Sequence, residues 1–157
     1  MQDNIGNEIN IGDTVFCYSG SLKNTIQIVV GTRNIKEHWG IREAVSFDNG
    51  VWLSNYNVLS LNALGIDIST IGSSAAQCDA LGNSLHIGDR VLYLHAMEMY
   101  AEVGIVKSLA AKSCLLSIEC NRFGREEYRK RYDELISLTA LGVENIPKRN
   151  RSGDIIE

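Results

Sequence analysis

Apolar and polar positions alternate in short runs along this chain, the period-2 pattern of half-buried antiparallel strands. Thr14 to Tyr18 predicts a first strand, with Ser19 to Asn24 as the loop after it. Thr25 to Gly31, rich in β-branched residues, predicts a second. Ala44 to Phe47 is a third, and Asp48-Asn-Gly50 is a hairpin turn signal. Val51 to Tyr56 follows as a fourth, and Val58 to Leu61 closes the set. The same order then returns, with strands over Arg90 to Leu94, Ala101 to Lys107, Cys114 to Cys120 and Glu127 to Tyr132, closed by Leu135 to Leu138. Val15 and Cys17 share one face, as do Val91 and Tyr93. In the third strands Val45 and Phe47 match Leu116 and Ile118; in the fourth, Tyr128 aligns with Trp52 and Tyr132 with Tyr56.

The recurrence is also literal. Asp3-Asn-Ile-Gly-Asn-Glu-Ile-Asn-Ile-Gly-Asp-Thr-Val15 aligns without a gap with Asp79-Ala-Leu-Gly-Asn-Ser-Leu-His-Ile-Gly-Asp-Arg-Val91, with Asp3/Asp79, Gly6/Gly82, Asn7/Asn83, Ile11/Ile87, Gly12/Gly88, Asp13/Asp89 and Val15/Val91 identical. At the far end of each half, Leu59-Ser-Leu-Asn-Ala-Leu-Gly-Ile66 aligns with Ile136-Ser-Leu-Thr-Ala-Leu-Gly-Val143. The pattern predicts an all-β protein of two tandem domains, residues 1–67 and 78–146, related by internal duplication. Residues 68–77, rich in small side chains, read as a linker, and residues 147–157 as a basic tail. Ile-Gly-Asp before each first strand reads as an apolar plug, a turn glycine and a turn-favouring aspartate: a structural motif, not an active site.

Short strands packed into about 65 residues behind Ile11-Gly-Asp-Thr-Val15 and Ile87-Gly-Asp-Arg-Val91, with Val30-Gly31 and Val103-Gly104 in the second strands, resemble SH3-like small barrels of the KOW and Tudor-like types. The opening phrase Asp-x-x-Gly-Asn-x-Leu-x-Ile-Gly-Asp-x-Val is also similar to small accessory proteins of large tailed phages, among them the MotB-type early proteins. That resemblance implies a phage-encoded, DNA-binding protein acting on gene expression or the host nucleoid. It assigns no functional positions.

Composition narrows the function classes. The chain has 157 residues, 45% of them apolar, and a formal net charge of −4, which is ordinary for a globular protein and argues against a uniformly basic DNA-coating one. No apolar run is long enough to span a membrane, and Met1 to Asn10 lacks the features of a secretory signal, so a cytoplasmic location is expected. Cys17, Cys78, Cys114 and Cys120 form no Cys-x-x-Cys pair and read as reduced, mostly buried thiols. His38, His86 and His95 sit in unrelated contexts, and no nucleophile elbow or phosphate loop occurs. The expectation is a non-enzymatic protein without metal or cofactor.

The distribution of charge is more informative than its sum. Residues 1–78 hold four basic side chains against seven acidic, whereas the second half holds eleven against twelve. There the bases cluster: Arg122, Arg125, Arg129, Lys130 and Arg131, followed by Lys148, Arg149 and Arg151 in the tail. Phe123, Tyr128 and Tyr132 are interleaved with the first group. Basic and aromatic residues together neutralise phosphates and stack on bases, so these eight positions are the candidate DNA-binding residues. The competing reading is a solvated hairpin whose aromatics pack in the core. Arg129 and Arg131 would share one face, and Tyr128, Lys130 and Tyr132 the other. In the first half, Arg33, Lys36, His38 and Trp39 lie in a segment predicted as a loop with Trp39 at its tip. They are the candidates for the alternative, an adaptor or inhibitor that binds a host protein.

Overall fold

A computed structural model describes residues 1–3, 5–18, 20–38, 40–66, 77–94, 101–118 and 127–146. They form an all-β structure in two compact units, the first built on residues 1–66 and the second on residues 77–144. No helix among the described residues is long and apolar enough to cross a membrane.

In the first unit, β1 (Thr14–Cys17), β2 (Thr25–Ile28) and β6 (Val58–Ser60) make one sheet in the order β2-β1-β6. β3 (Gly31–Glu37), β4 (Gly40–Ser46) and β5 (Trp52–Ser54) make another in chain order. Ile9, Val15, Cys17, Val29, Val45, Phe47, Leu53 and Val58, drawn from both sheets and the loops beside them, form one core cluster. The predicted hairpin turn between β4 and β5 is present: Phe47 N–H donates to Val51 O at 3.2 Å, and Gly50 takes a φ of 78° that suits glycine. In the second unit, β7 (Arg90–Leu94), β8 (Ala101–Leu109), β9 (Ser113–Ile118), β10 (Glu127–Arg131) and β11 (Leu135–Ser137) make one antiparallel sheet in the order β10-β9-β8-β7-β11. Its core holds Leu85, Val91, Tyr93, Val106, Cys114, Leu116, Tyr132 and Leu135.

The repeated phrases make the same bonds in both units. Asp3 and Asp79 are buried, at 0% and 4% exposure. Asp3 Oδ1 accepts the N–H groups of Ile5 (3.1 Å) and Asn7 (2.8 Å), and its Oδ2 accepts Ser60 N–H (2.9 Å) and Asn7 Nδ2 (3.2 Å). Asp79 does the same with Leu81 (3.0 Å), Asn83 (2.7 Å and, from Nδ2, 3.3 Å) and Ser137 (2.7 Å). Burial pushes both carboxyls above their ordinary pKa, and the N–H donors pull against it. The second phrase then turns out of the sheet into one turn of helix, α1 (Leu61–Leu64) or α2 (Leu138–Leu141). Ser60 and Ser137 cap these helices, and Gly65 and Gly142 end them in the left-handed region.

The structure corrects several expectations. Ile11 and Ile87 are no plugs: they are 65% and 68% exposed, and Ile9 and Leu85 fill the cores instead. Gly12 and Gly88 follow them at φ near 95°, each donating to the carbonyl of Val29 or Val106 at 2.8 Å. Those two valines are therefore equivalent, and the Val30-Gly31 and Val103-Gly104 pairs are not. β1 and β7 are buried on both faces, not half-buried: Phe16 and Leu92 are as covered as Val15 and Val91, with α1 packed on β1 and α2 on β7. The expected second strand breaks at Val29-Val30 into β2 and β3, and β3 runs on to Glu37, where a loop was predicted. Arg33 and Lys36 thus lie in a strand.

The fourth strands also slip by one. Ser60 pairs with Val15 and Ser137 with Val91. Counting back from these serines, Trp52 opposite Ser46 corresponds to Arg129 opposite Leu115, and Leu53 opposite Val45 to Lys130 opposite Cys114. Trp52 is therefore the counterpart of Arg129 and not of Tyr128, and Val45 and Phe47 are those of Cys114 and Leu116. A one-residue slip exchanges faces, so it changes what each position does.

Replacing Asp79 by Asn leaves an NH2 group facing N–H donors. Asp79→Asn is expected to destabilise the second unit by about 3 kcal/mol or more in urea unfolding, since bonds to a charged acceptor contribute roughly 1.5–3 kcal/mol each. A loss under about 1 kcal/mol would show that the carboxylate does not hold the unit together.

Candidate nucleic-acid interface

β10 carries the described part of the basic cluster. It is an edge strand, paired on one side only, with Arg129 opposite Leu115, Lys130 opposite Cys114 and Arg131 opposite Ser113. Its pleat separates exposed Glu127, Arg129 and Arg131 from half-buried Tyr128 and Lys130, the division the alternation predicts.

Each charge has a distinct setting. Arg129 Nη1 donates to Ser113 Oγ at 3.2 Å, and no carboxylate among the described residues pairs with it. Arg131 grips Asp133 with both arms, Nε to Oδ1 at 3.2 Å and Nη2 to Oδ2 at 3.3 Å. Its own N–H donates to Glu134 Oε2 at 3.0 Å. Glu127 is ion-paired with Lys107 across the sheet face. Lys130 turns the other way, with Nζ 5.8 Å from the centre of the Tyr93 ring, which in turn lies 6.1 Å from the Tyr128 ring. Tyr132 is buried, and its hydroxyl donates to Ala110 O. Tyr128 and Tyr132 thus belong to the core or its border, and the two arginines are exposed.

Two contributors escaped the sequence reading. Lys107 comes from the end of β8, and exposed Lys112 from the turn that leads into Ser113. Both are far from 129–131 in sequence, so only strand pairing reveals them. Arg122, Arg125, Lys148, Arg149 and Arg151 lie outside the described residues, as does Trp39.

Of the alternative set, Arg33 and Lys36 are exposed on β3, and His38 is exposed in the two-residue turn between β3 and β4. Arg33 lies over the Trp52 ring, its guanidinium carbon 3.9 Å from the ring centre. Lys36 pairs in register with Ile41, which is 71% exposed. Only Ala44, Val45 and Ser46 of β4 are backed by β5, so the outer part of this hairpin is a two-stranded arm. The second unit turns back at Ala110–Lys112 instead, where Ala110 N–H meets Ser113 O at 2.9 Å.

No group of three or more His, Cys, Asp or Glu side chains able to hold a metal ion occurs among the described residues. Burial pushes the Cys17 thiol up to about 12 and the Cys114 thiol up to about 11, the latter against the pull of Arg129. Such thiols are poor nucleophiles at neutral pH. No protein-family model matches the chain, and no curated protein matches it. The geometry itself therefore carries the functional argument: a small all-β protein with a cationic sheet edge.

At pH 8 a pKa near 11 leaves on the order of one thiolate in a thousand. A thiol reagent is expected to modify Cys17 and Cys114 only at the rate of unfolding, with urea abolishing the protection. Rapid labelling of either cysteine in the folded protein would contradict the burial described here.

Proposed function

We propose that this chain is a non-enzymatic DNA-binding accessory protein that contacts the phosphate backbone through the exposed face of β10. The two units would be tandem SH3-like barrels. The strand order of the second, and the turn of 3-10 helix at Tyr132–Glu134 between its last two strands, support that reading. The observation that carries the function is Arg129: a guanidinium on an exposed sheet edge, oriented by Ser113 and with no carboxylate partner among the described residues. Arg131 adds a second charge. Its pair with Asp133 is exposed, and such pairs contribute about 0–1 kcal/mol, so a phosphate can replace the carboxylate at little cost. Lys112 extends the cationic edge, and the bases at 122, 125, 148, 149 and 151 would add to it. By resemblance alone, the setting is a phage protein acting on gene expression or the host nucleoid.

The arm of the first unit favours a second reading, an adaptor for a host protein. An isoleucine 71% exposed beside Lys36 is an apolar anchor with a charged rim.

The two readings separate by salt and by mutation. Under the first, log K for a duplex falls with log[salt] at a slope near −0.9 per phosphate contacted. Arg129→Glu with Arg131→Glu is expected to weaken duplex binding at least tenfold without moving the thermal unfolding midpoint. Lys130 is left intact in that variant because its stem packs beside the core. Unchanged affinity would remove β10 from the interface. Under the second reading, a protein partner is retained from nuclease-treated host lysate and lost in Ile41→Asp; retention by that variant would rule out the arm.

A further inference from the structure

We infer that Arg33, stacked on Trp52, forms a second phosphate-contact site, located in the first unit. The inference rests on the DNA-binding reading above and extends it to the half of the chain whose net charge argues against it.

The site is built by three positions on one sheet face. Trp52 lies opposite Ser46, and Ser46 lies opposite Gly31. Gly31 leaves room there: a Cβ added to it would lie 3.7 Å from Cη2 of Trp52 and 2.7 Å from Ser46 Oγ. The indole therefore reaches across β4 towards β3. Arg33 is two residues beyond Gly31 on the same face, and its guanidinium covers the ring at 3.9 Å. Stacking holds the guanidinium plane and leaves its N–H edge available, with no carboxylate among the described residues bound to it. A planar, oriented and unneutralised fork is suited to a phosphate group, which accepts two of its N–H bonds at once.

Register gives the independent observation. Trp52 occupies the position that Arg129 occupies in the second unit. Each unit thus brings to this position a guanidinium that no carboxylate among the described residues binds, but by different means. In the second unit the residue at that position supplies the charge itself, oriented by Ser113. In the first, it supplies a ring on which an arginine from β3 is laid. The chemical group is common to both units, while the residue that delivers it differs. A coincidence of packing would not require the same group twice.

The test is a duplex titration of the full chain followed in two ways. One is the slope of log K against log[salt]. The other is the indole N–H resonance of Trp52, assigned by its loss in Trp52→Phe. The resonance is expected to shift on addition of duplex and to return as salt displaces it. Arg33→Ala should abolish the shift and reduce the slope by about 0.9. If Arg33→Ala changes neither readout while Arg129→Glu with Arg131→Glu weakens binding, this site is refuted and the β10 interface stands. If only Arg33→Ala weakens binding, the β10 interface is refuted and this site stands. A resonance shifted by an acidic peptide but not by duplex would make it a carboxylate site and refute the proposal. Absence of duplex binding at low salt refutes both.

Discussion

One buried carboxylate in each unit ties the start of the unit to its last strand. Asp3 reaches 57 residues ahead to Ser60, and Asp79 reaches 58 ahead to Ser137. Each carboxylate also closes its own loop through the residues two and four places on. Burying such a charge costs several kcal/mol, and only a full set of donors offsets it. Four N–H groups converge on each, so both oxygens are satisfied. Three of the four donors come from the carboxylate's own loop and one from the backbone of the last strand, so the loop and the strand are held by the same group. The consequence reaches the candidate interface. Ser137 fixes β11, and three residues of 3-10 helix separate β11 from β10. Pairing with β9 then decides which face of β10 carries Arg129 and Arg131.

This constraint explains which parts of the fold were legible in the sequence. Period-2 alternation located most of the strands, and Asp48-Asn-Gly50 located its hairpin. The repeated phrases marked where the constraint acts, but the emphasis fell on Ile-Gly-Asp. Its isoleucine is exposed, and the long-range bonds are made by the aspartate at the start of the phrase, Asp3 or Asp79. A buried acid looks like a surface acid until its donors are known. The one-turn helices were missed because four residues are too few to show a 3.6-residue period. The break at Val29-Val30 was missed because β-branched residues continue through it.

The candidate site was legible in part, for a related reason. Alternation alone separated Arg129 and Arg131 from Lys130, since that depends only on the pleat. The settings of those charges depend on neighbours distant in sequence: Ser113 under Arg129, Lys107 against Glu127, Trp52 under Arg33. Aligning Trp52 with Tyr128 paired two aromatic residues and suggested a shared core role. The register matches Trp52 with Arg129 instead, so the two residues occupy equivalent positions on their strands. Similarity of residue type misled where similarity of position was informative.

Charge on β10 also has a purely structural use. Edge strands expose unpaired backbone groups, and charged side chains discourage other chains from pairing with them. β3 is an edge strand as well, so Arg33 and Lys36 meet the same need. Edge protection, however, works with charges of either sign, whether or not they are neutralised by a neighbour. Glu127 with Lys107, and Arg131 with Asp133, satisfy it. It gives no reason for Arg129 to be oriented by a serine, with no acid among the described residues against it. Nor does it account for the indole of Trp52 that lies beneath Arg33. A charge that only guards an edge gains nothing from being held in one orientation, whereas a charge that meets a phosphate gains from every rotamer already fixed.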